Sequence, residues 1–322
     1  MRHGIFFLLN LFAGLAVANS DALADSFINS KIKDCDDPKV FRVGWVKGDT
    51  TQTINNLKEH KIDIGITYHQ VAEQNAIGGG FAKGCNYERD DKEDHKKCYQ
   101  KPCFDSCTNP VERPCSTFTD HFYLVGPKEN PAKIDPSKDD ITTTFRKIYE
   151  AGERGEVRFL TRFDKSATNI KDSEMWIGIG QVPWAQVYSD WYHQYIAFPV
   201  EALTEAIKQG EYTITDRGTF LTLMSSSKDL TDNTTIYRKG ENCGDPLLNP
   251  ADIIVSGQPL DSHKPYMDDF VRWVHDSDGQ AVIRNYIKPP QKYCFYNGFD
   301  LDLKGNCTWD LDAPDIVVGD GL

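Results

Sequence analysis

Apolar and polar positions along this chain switch repeatedly between a period near 3.6 and a period of 2. Leu23, Phe27 and Ile28 share one face at helical spacing and predict a helix over residues 22–30. Residues 40–46 read as a strand, closed by the turn Lys47-Gly48-Asp49-Thr50, and residues 51–60 as a short helix with Ile54 and Leu57 inward. Ile62-Asp63-Ile64-Gly65-Ile66 alternates like a strand, and residues 71–77 are helical until Gly78-Gly79-Gly80 stops them. Strands follow at 122–125, 157–160 and 253–255. Helices follow at 142–151, 173–178, 200–207 (with Pro199 at the start), 267–274 and 280–286. Strands interleaved with helices predict a mainly parallel α/β sheet.

Two stretches break the rhythm. Ile5 to Ala18 is apolar apart from Asn10, follows the basic start Met1-Arg2-His3, and ends in the small residues Ala16-Val17-Ala18. This pattern predicts a secretory signal peptide over residues 1–18 and an extracellular destination. No later stretch reaches about 18 apolar residues, so membrane insertion is not expected. Residues 85–115 carry Cys85, Cys98, Cys103, Cys107 and Cys115 around the run Glu88 to Lys97, with almost no aliphatic residues. A segment that cannot bury apolar surface needs disulfides, which predicts a Cys-rich surface insertion. Zinc held by these cysteines and His95 is the sharper reading, but the spacing matches no common finger or ribbon, and no metal site is expected. Cys294 and Cys307 bracket a hairpin-like stretch and predict a disulfide stapling an acidic tail over 290–322, leaving Cys35 and Cys243. Nine cysteines are an odd number, so at least one is free or bonded between chains. Asn233 and Asn306 lie in Asn-x-Thr glycosylation sequons.

The formal net charge is −12, and loss of Arg2 with the leader makes it −13. Such acidity argues against nucleic acid as a partner. It also means that a cationic pocket for an anion would have to act at short range. No Gly-x-Ser-x-Gly elbow, His-Glu-x-x-His pair or phosphate loop ending Gly-Lys-Ser/Thr occurs, so neither an enzyme nor a bound cofactor is expected.

Candidate chemistry concentrates at strand-to-helix junctions. Thr50 and Thr51 start a helix whose free N–H groups can meet an anion, or Asp49 or Thr50 simply caps it. In Arg162-Phe163-Asp164-Lys165-Ser166-Ala167-Thr168, Arg162 can present a planar fork to an oxyanion, while Ser166 and Thr168 donate hydroxyls. The plainer alternative is a surface Arg162–Asp164 pair with a capping serine. Phe198 precedes a helix after the aromatic run Trp184, Trp191, Tyr192 and His193, which reads as core more than as a sugar platform. Thr215-Asp216-Arg217-Gly218-Thr219 reads as a turn needing Gly218, where Arg217 faces a ligand or pairs with a carboxylate near a hinge.

Taken together these segments resemble a known family. The loop from Arg162 to Thr168 is similar to the Ser-Arg-Gly-Asp-Asp-Ser-Gly-Thr loop of tungstate/molybdate-type periplasmic binding proteins, and Tyr212 to Phe220 to their Tyr-Thr-Leu-Thr-Asp-Arg-Gly-Thr-Tyr. Trp176 to Trp184 and Trp191 to Pro199 resemble secreted fungal proteins with this domain. The resemblance covers about residues 22–286, with the insertion set aside. It implies a type II periplasmic-binding-protein fold: two α/β lobes with ligand in the cleft between them. Lobe 1 would comprise 19–121 and 221–289, and lobe 2 would comprise 122–220. By position it implies that Thr50, Thr51, Arg162, Ser166 and Thr168 face a small oxyanion such as tungstate or molybdate, with Phe198 and Arg217 near the cleft or hinge. It also implies a strand and an anion loop ahead of the first helix, where this chain carries its leader-like run. The expected function is a secreted solute-binding protein. The alternative is an extracellular interaction protein that uses the same scaffold and the Cys-rich insertion, with ligand binding weakened or lost. The sequence names no receptor.

Overall fold

The computed structural model describes residues 6–12, 16–31, 42–84, 115–185, 189–241, 244–290, 292–298, 304–309 and 311. In chain order the first elements are β1 (Phe6–Phe12), α1 (Ala16–Lys31), β2 (Arg42–Gly48), α2 (Thr50–Lys58), β3 (Ile64–Thr67), α3 (Gln70–Gly78) and β4 (Ala82–Lys83). Next come β5 (Cys115–Pro127), α4 (Ile141–Glu153), β6 (Phe159–Thr161), α5 (Ala167–Gly178), β7 (Tyr192–Gln194), α6 (Pro199–Gln209) and β8 (Tyr212–Asp216). The chain closes with α7 (Arg217–Ser226), α8 (Lys228–Thr231), β9 (Thr234–Lys239), β10 (Leu248–Ser256), α9 (Lys264–His275), α10 (Ser277–Arg284) and β11 (Asn297–Gly298).

The strands join in the order β2-β1-β3-β10-β5-β8-β6-β7, with β4 on β10 and both β9 and β11 on β5. β5 is the pivot. Its first part pairs antiparallel with β10, Leu248 lying opposite His121. Its second part pairs with β8, Asp216 opposite Phe122, and with β9 on the other edge. The sheet thus falls into two halves that meet at His121–Phe122, each carrying helices, as the expected two-lobed α/β fold requires. Strands β6, β7 and β8 run parallel, which places the loops after β6 and β7 at one end of lobe 2.

Lobe 2 is built on aromatic packing. Asp140 caps α4 by accepting from the Thr143 N–H at 2.7 Å, and buried Ile141, Phe145, Ile148 and Ala151 follow at helical spacing. The wholly buried Trp176 ring meets Phe145 at 4.7 Å, Phe159 at 5.0 Å and Trp191 at 5.3 Å. The aromatic run is therefore core, as expected. His193 pairs with Glu211 at 2.8 Å.

Four observations depart from the sequence reading. First, Phe6–Phe12, inside the expected leader 1–18, forms β1 between β2 and β3 and runs parallel to both. A short apolar run has the same pattern in a leader and in a buried strand, so periodicity cannot separate them. Second, β9 pairs with the lobe 2 part of β5, and Phe220, Leu223, Leu230 and Ile236 pack with Tyr123, Val125 and Leu203. The chain therefore returns to lobe 1 after residue 240 rather than at 221. Third, Thr215 to Thr219 is not a turn. Asp216 ends β8 and caps α7, accepting from the Thr219 N–H at 2.7 Å and hydroxyl at 2.6 Å. Fourth, the described part of 290–322 is no loose tail. Cys294, Phe295 and Tyr296 are buried, and Asn297–Gly298 pair with β5 at Thr119 and Phe118. The Cys294–Cys307 disulfide is present. The other candidate cysteines of the insertion, with His95, Cys35 and Cys243, lie outside the described residues, apart from Cys115 at the start of β5.

Candidate ligand-binding cleft

Two helix starts face each other between the lobes. On lobe 1, β2 delivers the chain into α2, and Asp49 caps it by accepting from the Gln52 N–H at 2.7 Å. Thr50 and Thr51 are thereby the first residues of α2, where backbone N–H groups point outward and the helix dipole is positive. The Thr50 hydroxyl is buried and has no hydrogen-bond partner among the described residues. On lobe 2, β6 delivers the loop 162–166 into α5, with Ser166 as the cap, accepting from the Asn169 N–H at 3.3 Å. The Thr51 hydroxyl reaches across to the Lys165 carbonyl at 3.5 Å, so the two helix starts meet.

A second contact crosses the same gap. His69 caps α3 through Nδ1, which accepts from the Ala72 N–H at 3.2 Å. Its Nε2 lies 3.4 Å from Glu174 on α5. Burial opposes ionisation of Glu174, but the His69 hydrogen bond and Lys171 outweigh it and bring the carboxyl down to about 2.

The Arg162 side chain is nearly enclosed. Its Nε donates to the Ala197 carbonyl at 3.2 Å, which ties the loop after β6 to the loop after β7. Its Nη2 donates to Asp164 at 2.5 Å. The pairing and the cap set out as the plainer alternative are both real, yet the pair is withdrawn from solvent rather than on the surface. Phe163 and Lys165 have φ of 48° and 60°, the left-handed region. Phe163 thus stands where the resembling loop has glycine and keeps a glycine-like backbone. Thr168 is buried in the first turn of α5. Phe198 starts α6 with its side chain 61% exposed, one residue beyond the carbonyl that Arg162 holds.

Arg217 is not in this group. It lies at the start of α7, next to β5, where Nη1 donates to the Tyr123 hydroxyl at 2.5 Å, Nε to the Cys294 carbonyl at 2.9 Å and Nη2 to the Trp309 carbonyl at 2.7 Å. The Trp309 ring lies 4.6 Å from the guanidinium and 5.5 Å from the His121 ring. The partners of Arg217 are carbonyls and a phenol rather than a carboxylate. Asn233 and Asn306 of the two sequons are both exposed.

Buried carboxyls occur in both lobes. Desolvation, with Asp216 nearby, holds Asp120 well above the usual carboxylate range. Behind the Arg162 loop, Asp172 accepts from the Thr161 hydroxyl at 2.7 Å, and burial pushes its carboxyl up to about 8. Glu73 accepts from the Thr67 hydroxyl and from the His69 N–H at 3.1 Å; burial and the adjacent Asp252 raise it strongly. Sequence reasoning missed His69, Glu174, Asp172 and the Glu73–Asp252 pair. A period-based reading carries no signal for a pair separated by 105 residues, as His69 and Glu174 are. Among the described residues no cluster suits a metal ion.

Residues 112–278 match the PBP superfamily domain, about half of the chain. A Haloferax volcanii protein named as an ABC transporter anion-binding protein is 30% identical over 185 residues, 55% of this chain and 48% of that protein. The tungstate-binding protein TupA of Peptoclostridium acidaminophilum is 31% identical over 168 residues, 52% of this chain and 54% of its own length. The matches thus span about half the length of these relatives. The crystal structure of a protein described as a periplasmic metal-binding protein superposes with a TM-score of 0.73 at 39% identity, covering 91% of this chain and 96% of the other. All three are named for binding rather than for a reaction. With the two-lobed sheet hinged at β5 and two helix starts meeting across the cleft, this chain belongs to the PBP superfamily.

Proposed function

We propose that the protein is an exported solute-binding protein that takes a small oxyanion of the tungstate or molybdate kind in the cleft. The observation that carries this reading is the meeting of α2 and α5 at Thr51–Lys165, which brings two positive helix ends to one place, with the Thr50 hydroxyl at the start of α2 lacking a partner among the described residues. Arg162 adds a guanidinium on the lobe 2 side, and Ser166 and Thr168 line the start of α5. The relatives named for anion and tungstate binding support the same ligand class. The acidity of the chain fits recognition by local dipoles rather than by a broad positive field.

Thermal unfolding of the protein with tungstate, molybdate, sulfate and phosphate tests the proposal. A ligand present at a hundred times its Kd stabilises the native state by about 2.7 kcal/mol. A rise of several degrees with tungstate or molybdate is expected, and no rise with any of the four at millimolar concentration overturns the oxyanion reading.

Export is a separate part of the proposal. Cleavage after Ala18 would remove β1 and leave β2 without its seven-residue parallel neighbour. N-terminal sequencing of the protein recovered from the medium of a secreting host is expected to begin at Asn19. A recovered chain that still carries Phe6–Phe12 overturns the leader assignment and shows that β1 is kept. Exposed Asn233 and Asn306 would carry glycan if the host glycosylates exported proteins.

A further inference from the structure

The two lobes touch at a second place, further along α5 than the donors of the cleft. Glu174 lies about two turns, or ~10 Å, from the helix start that carries Ser166 and Thr168. Its carboxylate stands 3.4 Å from Nε2 of His69, which begins α3 on the other lobe. His69 Nδ1 accepts from the Ala72 N–H at 3.2 Å, so in the neutral ring the proton sits on Nε2 and faces the carboxylate. We propose that His69 and Glu174 form a latch built into the chain: a cross-lobe contact that favours the closed arrangement of the lobes and raises ligand affinity without touching the ligand. Both are positioning residues. The inference rests on the cleft reading given above, but the latch acts on the lobes with or without a ligand.

Each partner is held within its own lobe before the two meet. The His69 N–H donates to buried Glu73 at 3.1 Å, and the ring is tied down as the cap of α3. Glu174 is held by Lys171 at 2.9 Å, one turn back on α5. Side chains already held lose little rotamer freedom when they touch, so more of the contact energy goes to closure. The spacing of the two contacts matters as well. A single contact at Thr51–Lys165 leaves the lobes free to pivot about it, whereas a second, ~10 Å along the same helix, resists that rotation. Exposure sets the strength. The His69 side chain is 21% exposed and that of Glu174 45%, so the pair is partly screened, strong enough to bias the lobes and weak enough to open.

If His69 served only to cap α3, a residue that keeps the cap would leave the lobes and the affinity unchanged. His69→Ser keeps an oxygen for the Ala72 N–H and is too short to reach Glu174. Glu174→Ala removes the other partner at an exposed helical position that suits alanine. Small-angle scattering of the full chain without ligand, of both variants and of the double variant reads the arrangement of the lobes. Calorimetric titration of the same four proteins with sodium tungstate reads affinity. Each single variant is expected to show a larger radius of gyration and a Kd raised about two- to fivefold. The double variant is expected to change no further, because both substitutions remove one contact. Unchanged scattering in both single variants, or effects that add in the double variant, overturns the latch, and tungstate binding then leaves the oxyanion reading standing. Scattering that shifts as expected, with no tungstate bound by any of the four, keeps the latch and removes the oxyanion reading. If His69→Ser does not fold, Glu174→Ala decides alone.

Discussion

Arg217→Ala is expected to remove about 3–5 kcal/mol of stability, the largest effect of any single substitution argued from this structure. Hydrogen bonds to charged groups contribute about 1.5–3 kcal/mol each, and buried acceptors left without a donor carry a further penalty. Arg217 supplies three such bonds, to Tyr123, Cys294 and Trp309, and stacks on the Trp309 ring. The contributions will not add fully, because the three partners share one side chain. The position of these contacts makes the effect more than local. Tyr123 lies on β5 just past the lobe junction, while Cys294 and Trp309 belong to the disulfide-closed C-terminal segment. That segment also reaches β5 through β11, and Asn297 lies 2.7 Å from Nε2 of His121. Denaturant unfolding measures the loss. Limited trypsin proteolysis should show new cleavage after Lys292 in the variant. A loss under about 1 kcal/mol would mean that the segment is held by its other contacts, β11, Asn297 and the buried Phe295 and Tyr296, without Arg217. Arg217→Lys should recover only part of the deficit, since an ammonium cannot reproduce the planar three-way fork.

Stability is also expected to fall as pH rises from about 4 towards 8, the reverse of the behaviour of a protein held by surface ion pairs. Asp172 is pushed up to about 8, and Glu73, Asp252 and Asp120 are all raised, in each case chiefly by burial. A carboxyl whose folded pKa exceeds its unfolded value binds more protons in the native state. Its contribution is complete below the unfolded pKa, near 4, and is lost as pH climbs through the folded value. Each raised group can remove up to about 1.4 kcal/mol per pH unit inside its own window. Glu73 and Asp252 act together: the two buried carboxyls interact directly, with Gln70 beside Asp252, and a proton retained on Glu73 lets them coexist. The acidic balance of the chain works in the same direction, because self-repulsion grows above a pI near 5.1. Melting temperatures at constant ionic strength from pH 4 to 9 test this, with the maximum expected between about 4 and 6. Asp172→Asn should flatten the alkaline limb and raise stability at pH 8 by about 1–3 kcal/mol, since Asn cannot ionise. A melting temperature that rises steadily to pH 8 would show that these carboxyls are hydrated.

Much of the fold was legible in the residues, for identifiable reasons. Long amphipathic segments such as α4, α6 and α9 repeat their apolar positions over several turns, and their ends carry caps that act locally, such as Asp140 and Pro199. The aromatic run around Trp191 had the composition of a core and became one. Less was legible where a short segment has no room for periodicity. Tyr293 to Tyr296 is too brief to announce itself, yet Phe295 and Tyr296 enter the core. Asp216-Arg217-Gly218 has turn-like residues, but Asp216 finds the Thr219 N–H and starts a helix instead. The apolar run Phe6–Phe12 satisfies two patterns at once, and only pairing with β2 and β3 makes it a strand.

The candidate site divides along the same line. Helix starts at Thr50 and Ala167, the guanidinium of Arg162 and the cap at Ser166 follow from residue order, because capping and the free N–H groups of a first turn are local properties. By itself the sequence thus determined where the helix starts, the cap and the guanidinium lie, and to which family the chain is similar. Tertiary structure alone decided which of those donors are already engaged, that Arg217 holds Tyr123, Cys294 and Trp309, and that His69 and Glu174 bridge the lobes. Those outcomes depend on residues distant in sequence, or on the burial of a charge. Burial depends on everything packed around the group and leaves no periodic trace in the chain.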